Sequence, residues 1–170
     1  MLPAHRSKGA TFVSMMRRSS EANLAPLPKN ALADTTREER EDLADFLASI
    51  CRWPAFGASM ATKVLHKKRP ALIPVLDNAA IFGAYMNPAW PDSPATKSKA
   101  YVEGVKDAPR IREALDAITR DLTRPQNCQT WIALAHLQPD RALVEIFDMV
   151  WWVHFRRHDP VAPRRHGRAA

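Results

Sequence analysis

The sequence predicts an all-α fold, and three observations carry that reading. Apolar residues return at spacings of three and four along much of the chain, helix-capping residues precede several of those runs, and no stretch shows convincing strand alternation or hairpin turns. The expected architecture is a compact bundle of about seven helices between flexible, basic termini. At 170 residues the chain suits one domain with a substantial core. Its 14 prolines against 5 glycines point to stiff connections between helices.

Residues 1–33 show no sustained periodicity and contain Ser, Pro and Asn breakers, so they are expected to form a flexible arm. A single helical domain then covers 34–158, and 159–170 form a basic tail. The first clear helix is TREEREDLADFLASICR. Thr35 or Thr36 can cap it, Glu38 and Glu39 stand at the capping-box distance, and Leu43, Phe46, Leu47 and Ile50 form its apolar stripe. A short helix follows over about 58–67, broken by Pro70 and Pro74. The next is expected over about 75–86, ended by the NPAWPDSP loop, and another over about 95–105. In DAPRIREALDAITRDL, Asp107 is the expected N-cap, and Ile111, Leu115, Ile118 and Leu122 line one face. Helices over about 126–137 and 140–156 complete the bundle.

The net charge of +7 is concentrated at the ends. Residues 1–33 carry five Lys/Arg against one acid, and 156–170 carry five arginines against Asp159, so the body between them is close to neutral. Such tails favour salt-sensitive contact with polyanions. Inside the body, 34–45 are acid-rich, whereas 52–69 hold Arg52, Lys63, Lys67, Lys68 and Arg69 with no acid. No apolar run approaches the roughly 18–20 residues of a membrane span, so no membrane association is expected. Cys51 and Cys128 are too few for a disulfide framework or a four-cysteine metal cluster, which points to a reducing, cytoplasmic setting.

The chemical interest lies in FGASMATKVLHKKRPALIPVLDN, residues 56–78. A short helix ends in a basic cluster, the chain turns through two prolines, and Asp77 stands at the start of the next helix. Backbone N–H groups at a helix start bind phosphate, and a carboxylate at such a start stays ionised readily. The basic cluster alone also reads as a solvated helix end, and Asp77 as a charge stabilising its own helix.

The segment Ala55-Phe56-Gly57-Ala58-Ser59-Met60-Ala61 resembles the helix–hairpin–helix pattern, with alanine in place of the usual first glycine. Twenty residues after Gly57, behind the proline-containing loop, Asp77 matches the aspartate of the helix–hairpin–helix DNA glycosylase superfamily. KVLHKKRPALIPVLDN with EIFDMVWWV is similar, over roughly 36–155, to an uncharacterised bacterial family with that glycosylase-like core. The resemblance implies a DNA partner contacted by Gly57, Ser59, Lys63, Lys67, Lys68 and Arg69. Asp77 would stabilise oxocarbenium-like charge or activate water beside a flipped nucleotide. Ser59 stands where bifunctional relatives carry a lysine nucleophile, so a monofunctional N-glycosylase-like hydrolase without lyase activity is implied. The cysteines that hold an iron–sulfur cluster in some relatives are absent, and no cofactor is expected.

The remaining candidates read as structural. His154 and His158 stand four apart but have no third ligand at useful spacing, so no metal site is expected. Cys51, Cys128, Trp151 and Trp152 are expected in the core, and Asp148 is expected to pair with Arg120 or Arg141. The alternative function is a non-enzymatic helical module that binds a protein partner or its own copy through the apolar C-terminal helix, with basic tails that attract nucleic acid.

Overall fold

Thr36 starts the first helix, α1 (Arg37–Cys51), with the reciprocal bonds the sequence predicts. Its hydroxyl accepts from the Glu39 N–H at 3.2 Å, and Glu39 Oε2 accepts from the Thr36 N–H at 2.8 Å. Thr35 turns inward instead, donating its hydroxyl proton to the Leu32 carbonyl at 2.7 Å in the short 3₁₀ turn Leu32–Asp34. The computed structural model of the protein describes residues 31–54, 56–88, 90 and 105–158. The expected arm over 1–30, the tail 159–170 and nearly all of the helix expected at 95–105 lie outside the described residues.

Among the described residues there are five α-helices, one 3₁₀ turn, one π-helical segment and no strand, so the protein is all-α. After α1 come α2 (Ala58–His66), the π-helical segment Ala80–Tyr85, α3 (Ala108–Thr123), α4 (Pro125–Leu137) and α5 (Leu143–His158). The expected limit of the N-terminal arm at 33 is too late. Leu32 is fully buried, and its N–H donates to the Ala71 carbonyl at 2.9 Å.

The core forms where α1 lies along α3, the most extensive helix pair among the described residues. Leu43 and Leu47 of α1 and Ile111, Leu115 and Ile118 of α3 are fully buried, as the stripes of both helices predict. Asp107 caps α3 through the Arg110 N–H, with a proline in the first turn. At the edge of this pair, Arg40 donates to Asp116 at 2.6 Å and to the Thr35 carbonyl at 2.6 Å, fixing α1 against α3 and the 3₁₀ turn. Phe147 of α5 enters the same core from the other side.

The segment expected as a regular helix from 75 behaves differently. Residues 75–77 stay non-helical, and the turns that follow widen to π geometry. The Phe82 N–H donates to the Asp77 carbonyl, and the Met86 N–H to the Ile81 carbonyl, both five residues back. π turns are rare and frequent at functional sites. Tyr85 pins this segment: its hydroxyl donates to the Ala117 carbonyl of α3 at 2.9 Å, and its ring meets Phe147 and Trp151 edge-on at 5.4 and 4.7 Å. A smaller apolar cluster of Ala80, Ala84, Trp90 and Phe155 seats the π segment on the second half of α5.

Two expectations about burial fail. Cys128 is exposed on α4, which buries little besides Trp131, and Trp152 is 49% exposed on α5. Apolar character alone does not say which side of a helix faces a neighbour. For stability, Leu115→Ala should cost about 2–5 kcal/mol through the cavity it leaves. Thr36→Ala should cost about 1 kcal/mol through the lost cap. Urea unfolding of the two variants beside the wild type measures both.

Candidate functional site

α2 is short and amphipathic, and its two faces do different work. Ala58, Ala61, Thr62 and Leu65 are buried against the core. Ser59, Lys63 and Lys67 follow at spacings of four, which puts them along one outward stripe. Thr62 couples the buried face to the chain that follows. Its hydroxyl donates to the Ala58 carbonyl at 2.8 Å and accepts from the Leu76 N–H at 3.0 Å. That bond lays residues 75–77 beside α2, so Asp77 comes opposite Lys63.

Asp77 is held on both oxygens. Oδ1 accepts from the backbone N–H groups of Ala79 and Ala80 at 2.8 and 3.1 Å, and Oδ2 accepts from Lys63 Nζ at 3.0 Å. Burial pushes its carboxyl up, but those two amides and the lysine outweigh burial and hold its pKa below the usual aspartate range. Asp77 therefore serves its own helical turn as the sequence allows, and it does so as a carboxylate.

Lys63, Val75, Asp77, Ala80, Ile81, Asp148, Met149, Trp151 and Trp152 line a pocket of about 340 Å³. One wall comes from the Asp77 turn and the facing wall from α5. Trp151 is fixed from behind by Tyr85 and Trp90, at ring separations of 4.7 and 6.4 Å. The pocket is thus apolar, aromatic on one side, and carries two carboxyl groups and one ammonium.

The second carboxyl, Asp148, is the site residue that sequence reasoning did not assign. Its expected arginine partner is replaced by backbone and imidazole. Oδ2 accepts from the Val75 N–H at 2.9 Å and lies 3.6 Å from His66 Nδ1. His66 Nδ1 is also 2.6 Å from the Ile73 carbonyl, which only accepts, so this nitrogen carries a proton. Oδ1 of Asp148 is buried and has no hydrogen-bond partner among the described residues. Burial raises the Asp148 pKa to about 6, against the lowering effects of the Val75 N–H and His66, with Glu145 adding to the rise. The available signal was an acid in the middle of the apolar run EIFDMVWW.

The expected phosphate cradle at the start of α2 takes a different form. Gly57 has extended backbone, φ −128° and ψ 176°, which any residue adopts, so no tight-turn role falls to it. The Ala58 N–H does not point outward; it donates to the Val105 carbonyl at 2.9 Å. A Cβ on Gly57 would meet the same carbonyl at 3.4 Å, so the close approach here is to the protein's own chain. Lys67 and Lys68 are exposed just past α2, whereas Arg69 is half-buried and its amide bonds back to Leu65 and His66. Of the predicted residues, the structure gathers Lys63 and Asp77 at the pocket, sets Ser59 and Lys67 on the Lys63 stripe, and leaves Gly57 at the far end of α2. Among the described residues no group of three or more metal-ligating side chains occurs. No described helix is long and apolar enough to cross a membrane.

One protein family has a sequence pattern that matches residues 4–155, nearly the whole chain. The chain belongs to the family of unknown function DUF6308. The DUF6308 match takes in the pocket residues and every described element except the last turn of α5, together with most of the segment ahead of Leu32. No curated protein and no solved structure matches the chain.

The two carboxylates give opposite pH signatures. Asp77 is depressed, so its stabilisation is present above the ordinary aspartate pKa and is lost as pH falls. Asp77→Ala should therefore cost about 1–3 kcal/mol at neutral pH, with the gap closing in acid. Asp148 is raised, so its favourable contribution is complete below the unfolded value and is lost as pH rises through about 6. Asp148→Asn should gain in melting temperature relative to the wild type, by several degrees, as pH goes from 4 to 8. Thermal melts of both variants across that range check the two signs.

Proposed function

We propose that the protein binds DNA, lodges a displaced nucleotide in the Asp77 pocket and hydrolyses its N-glycosidic bond. The observation that supports this most is the pocket itself: an ionised carboxylate faces an aromatic wall, beside the basic stripe of α2. A flipped base is recognised by stacking and edge hydrogen bonds, and Trp151 and Trp152 offer the stacking surface. A sugar losing its base develops positive charge, which a fixed carboxylate stabilises without having to reorient. Both Asp77 oxygens are already engaged, so in this reading Asp77 acts through its charge, and water activation is the lesser part. Lys63 and Lys67, on one stripe leading away from the pocket, supply phosphate contacts. Ser59, Lys68 and Arg69 extend them, and the first amide of α2 adds nothing because it is occupied by Val105. Ser59 at the hairpin keeps the reading monofunctional.

Fluorescence anisotropy on intact duplex and on duplex with an abasic-site analogue tests this reading. Tighter binding to the abasic duplex is expected, and Lys67→Ala should weaken both and lower the salt slope by about 1. Asp77→Asn should keep binding and lose base release. Equal binding to both duplexes, with no base released by the wild type, would contradict it.

A second reading has its own observation. Met149, Val150, Trp152 and Val153 are 43, 38, 49 and 49% exposed along α5, an apolar face suited to a protein partner or a second copy. Light scattering separates the two. A monomer at all concentrations fits the DNA reading, whereas a dimer that Trp152→Glu dissociates would favour the interaction module.

A further inference from the structure

Met149, Val150, Trp152 and Val153 stand exposed within little more than one turn of α5. Met149 and Trp152 also line the pocket, so the exposed face and the pocket form one continuous apolar surface. Single exposed apolar residues need no explanation, but a contiguous patch of this kind marks a place where something docks. The chain itself supplies a fitting occupant.

We infer that Phe12-Val13-Ser14-Met15-Met16, from the segment ahead of Ala31, seats on this face and covers the pocket. The segment joins the described fold beside the site: the Leu32 N–H is bonded to the Ala71 carbonyl. Ala71 stands four residues before Val75 of the pocket wall, so at most about 15 Å of chain separates the two. Met16 lies 15 residues before Ala31, a reach of up to about 50 Å that spans a domain of this size. Residues 12–16 put four large apolar side chains into five positions. The other long stretches outside the described residues are poorer in them: 91–104 hold Tyr101 and Val102, and 159–170 hold Val161. The chemistry is also reciprocal. Thioether sulfur and aromatic rings attract one another, and Met15 and Met16 can meet Trp152 while Phe12 meets Met149. A segment tethered to its own docking face meets it at an effective concentration of about millimolar, so a few such contacts suffice. The family pattern begins at residue 4 and takes in residues 12–16 and the α5 face alike.

The cover goes beyond the nucleotide-pocket reading, and only its consequence as a gate rests on that reading. A seated segment keeps a base out of the pocket. Arg6, Lys8, Arg17 and Arg18 flank residues 12–16, and the first acid after them is Glu21. These cations gain nothing from an apolar seat, whereas phosphates attract them strongly at low salt. Duplex bound along the Ser59–Lys63–Lys67 stripe therefore competes for the segment, draws it off α5 and opens the pocket.

Hydroxyl-radical footprinting of the full chain tests this, because methionine and tryptophan oxidise readily wherever solvent reaches them. In the wild type, Met15 and Met16 should oxidise several-fold more slowly than Met60, which is exposed on α2. In a Phe12→Asp/Met16→Asp variant, Met149 and Trp152 should oxidise several-fold faster than in the wild type, at every protein concentration. Buried Trp131 should stay protected in both, which checks the fold of the variant. The wild-type rates at Met15 and Met16 decide even if that check fails. Unprotected Met15 and Met16, or equal rates at Met149 and Trp152 in the two proteins, overturn the cover. An abasic-duplex preference in the same protein would then leave the nucleotide pocket standing. Protection that fades on dilution assigns the face to a second copy and also overturns it. Added duplex should raise oxidation of Met15 and Met16 several-fold. If they stay protected while duplex is bound, the cover stands and the gate is overturned.

Discussion

Asp148 accepts the Val75 N–H from the middle of an otherwise apolar helix, and the pocket depends on that bond. Thr62 at the Leu76 N–H, Lys63 at Asp77 and His66 at the Ile73 carbonyl hold this stretch to α2, and the Asp148–Val75 bond ties it to α5. The Val75 and Leu76 bonds are adjacent in sequence and point to opposite neighbours. Together they thread the chain between α2 and α5 and deliver Asp77 to the pocket edge. Buried polar groups of this kind are costly when half satisfied, and Asp148 is half satisfied. A fold that only needed a strap between the loop and α5 could use an apolar contact at lower cost.

The site is asymmetric as a consequence. Asp77 sits where two amides and an ammonium converge, and a carboxylate there is stable as a charge. Asp148 sits among apolar walls with one amide, one imidazole and a neighbouring glutamate, and a charge there is disfavoured. The π turns between Ala80 and Tyr85 follow from the same arrangement. Asp77 spends its side chain on Ala79 and Ala80 and its carbonyl on Ile81 and Phe82, so the next turn opens wider than an α-helix. Tyr85, at the end of that segment, then backs Trp151 and ties the aromatic wall to α3.

Much of the frame was legible because it rests on local rules. Capping chemistry and three-four spacing located α1 and α3, and the stripes they predicted are the core. Asp77 was legible from its position after a proline loop. The π geometry was not, since it arises from competition for the Asp77 acceptors, which spacing does not encode. Asp148 stood out as an acid among apolar residues, yet its partner is a backbone amide 73 residues away, a long-range pairing to which no side-chain type points. Trp152 reads like Trp151 in sequence, but rotation by one residue around α5 puts one ring against Tyr85 and leaves the other largely open. Gly57 misled in the other direction: a small residue before a helix suggests an open cradle, and here the Val105 carbonyl fills it.

One pocket holds two aspartates whose surroundings shift their proton affinities in opposite directions. Carbon-13 NMR titration of the aspartate side-chain carboxyls, with assignments from Asp77→Asn and Asp148→Asn, tests it most directly. The account predicts that Asp77 titrates below the ordinary aspartate range and Asp148 near pH 6. Both carboxyls titrating together at ordinary values would contradict it, because the pocket would then treat the two acids alike.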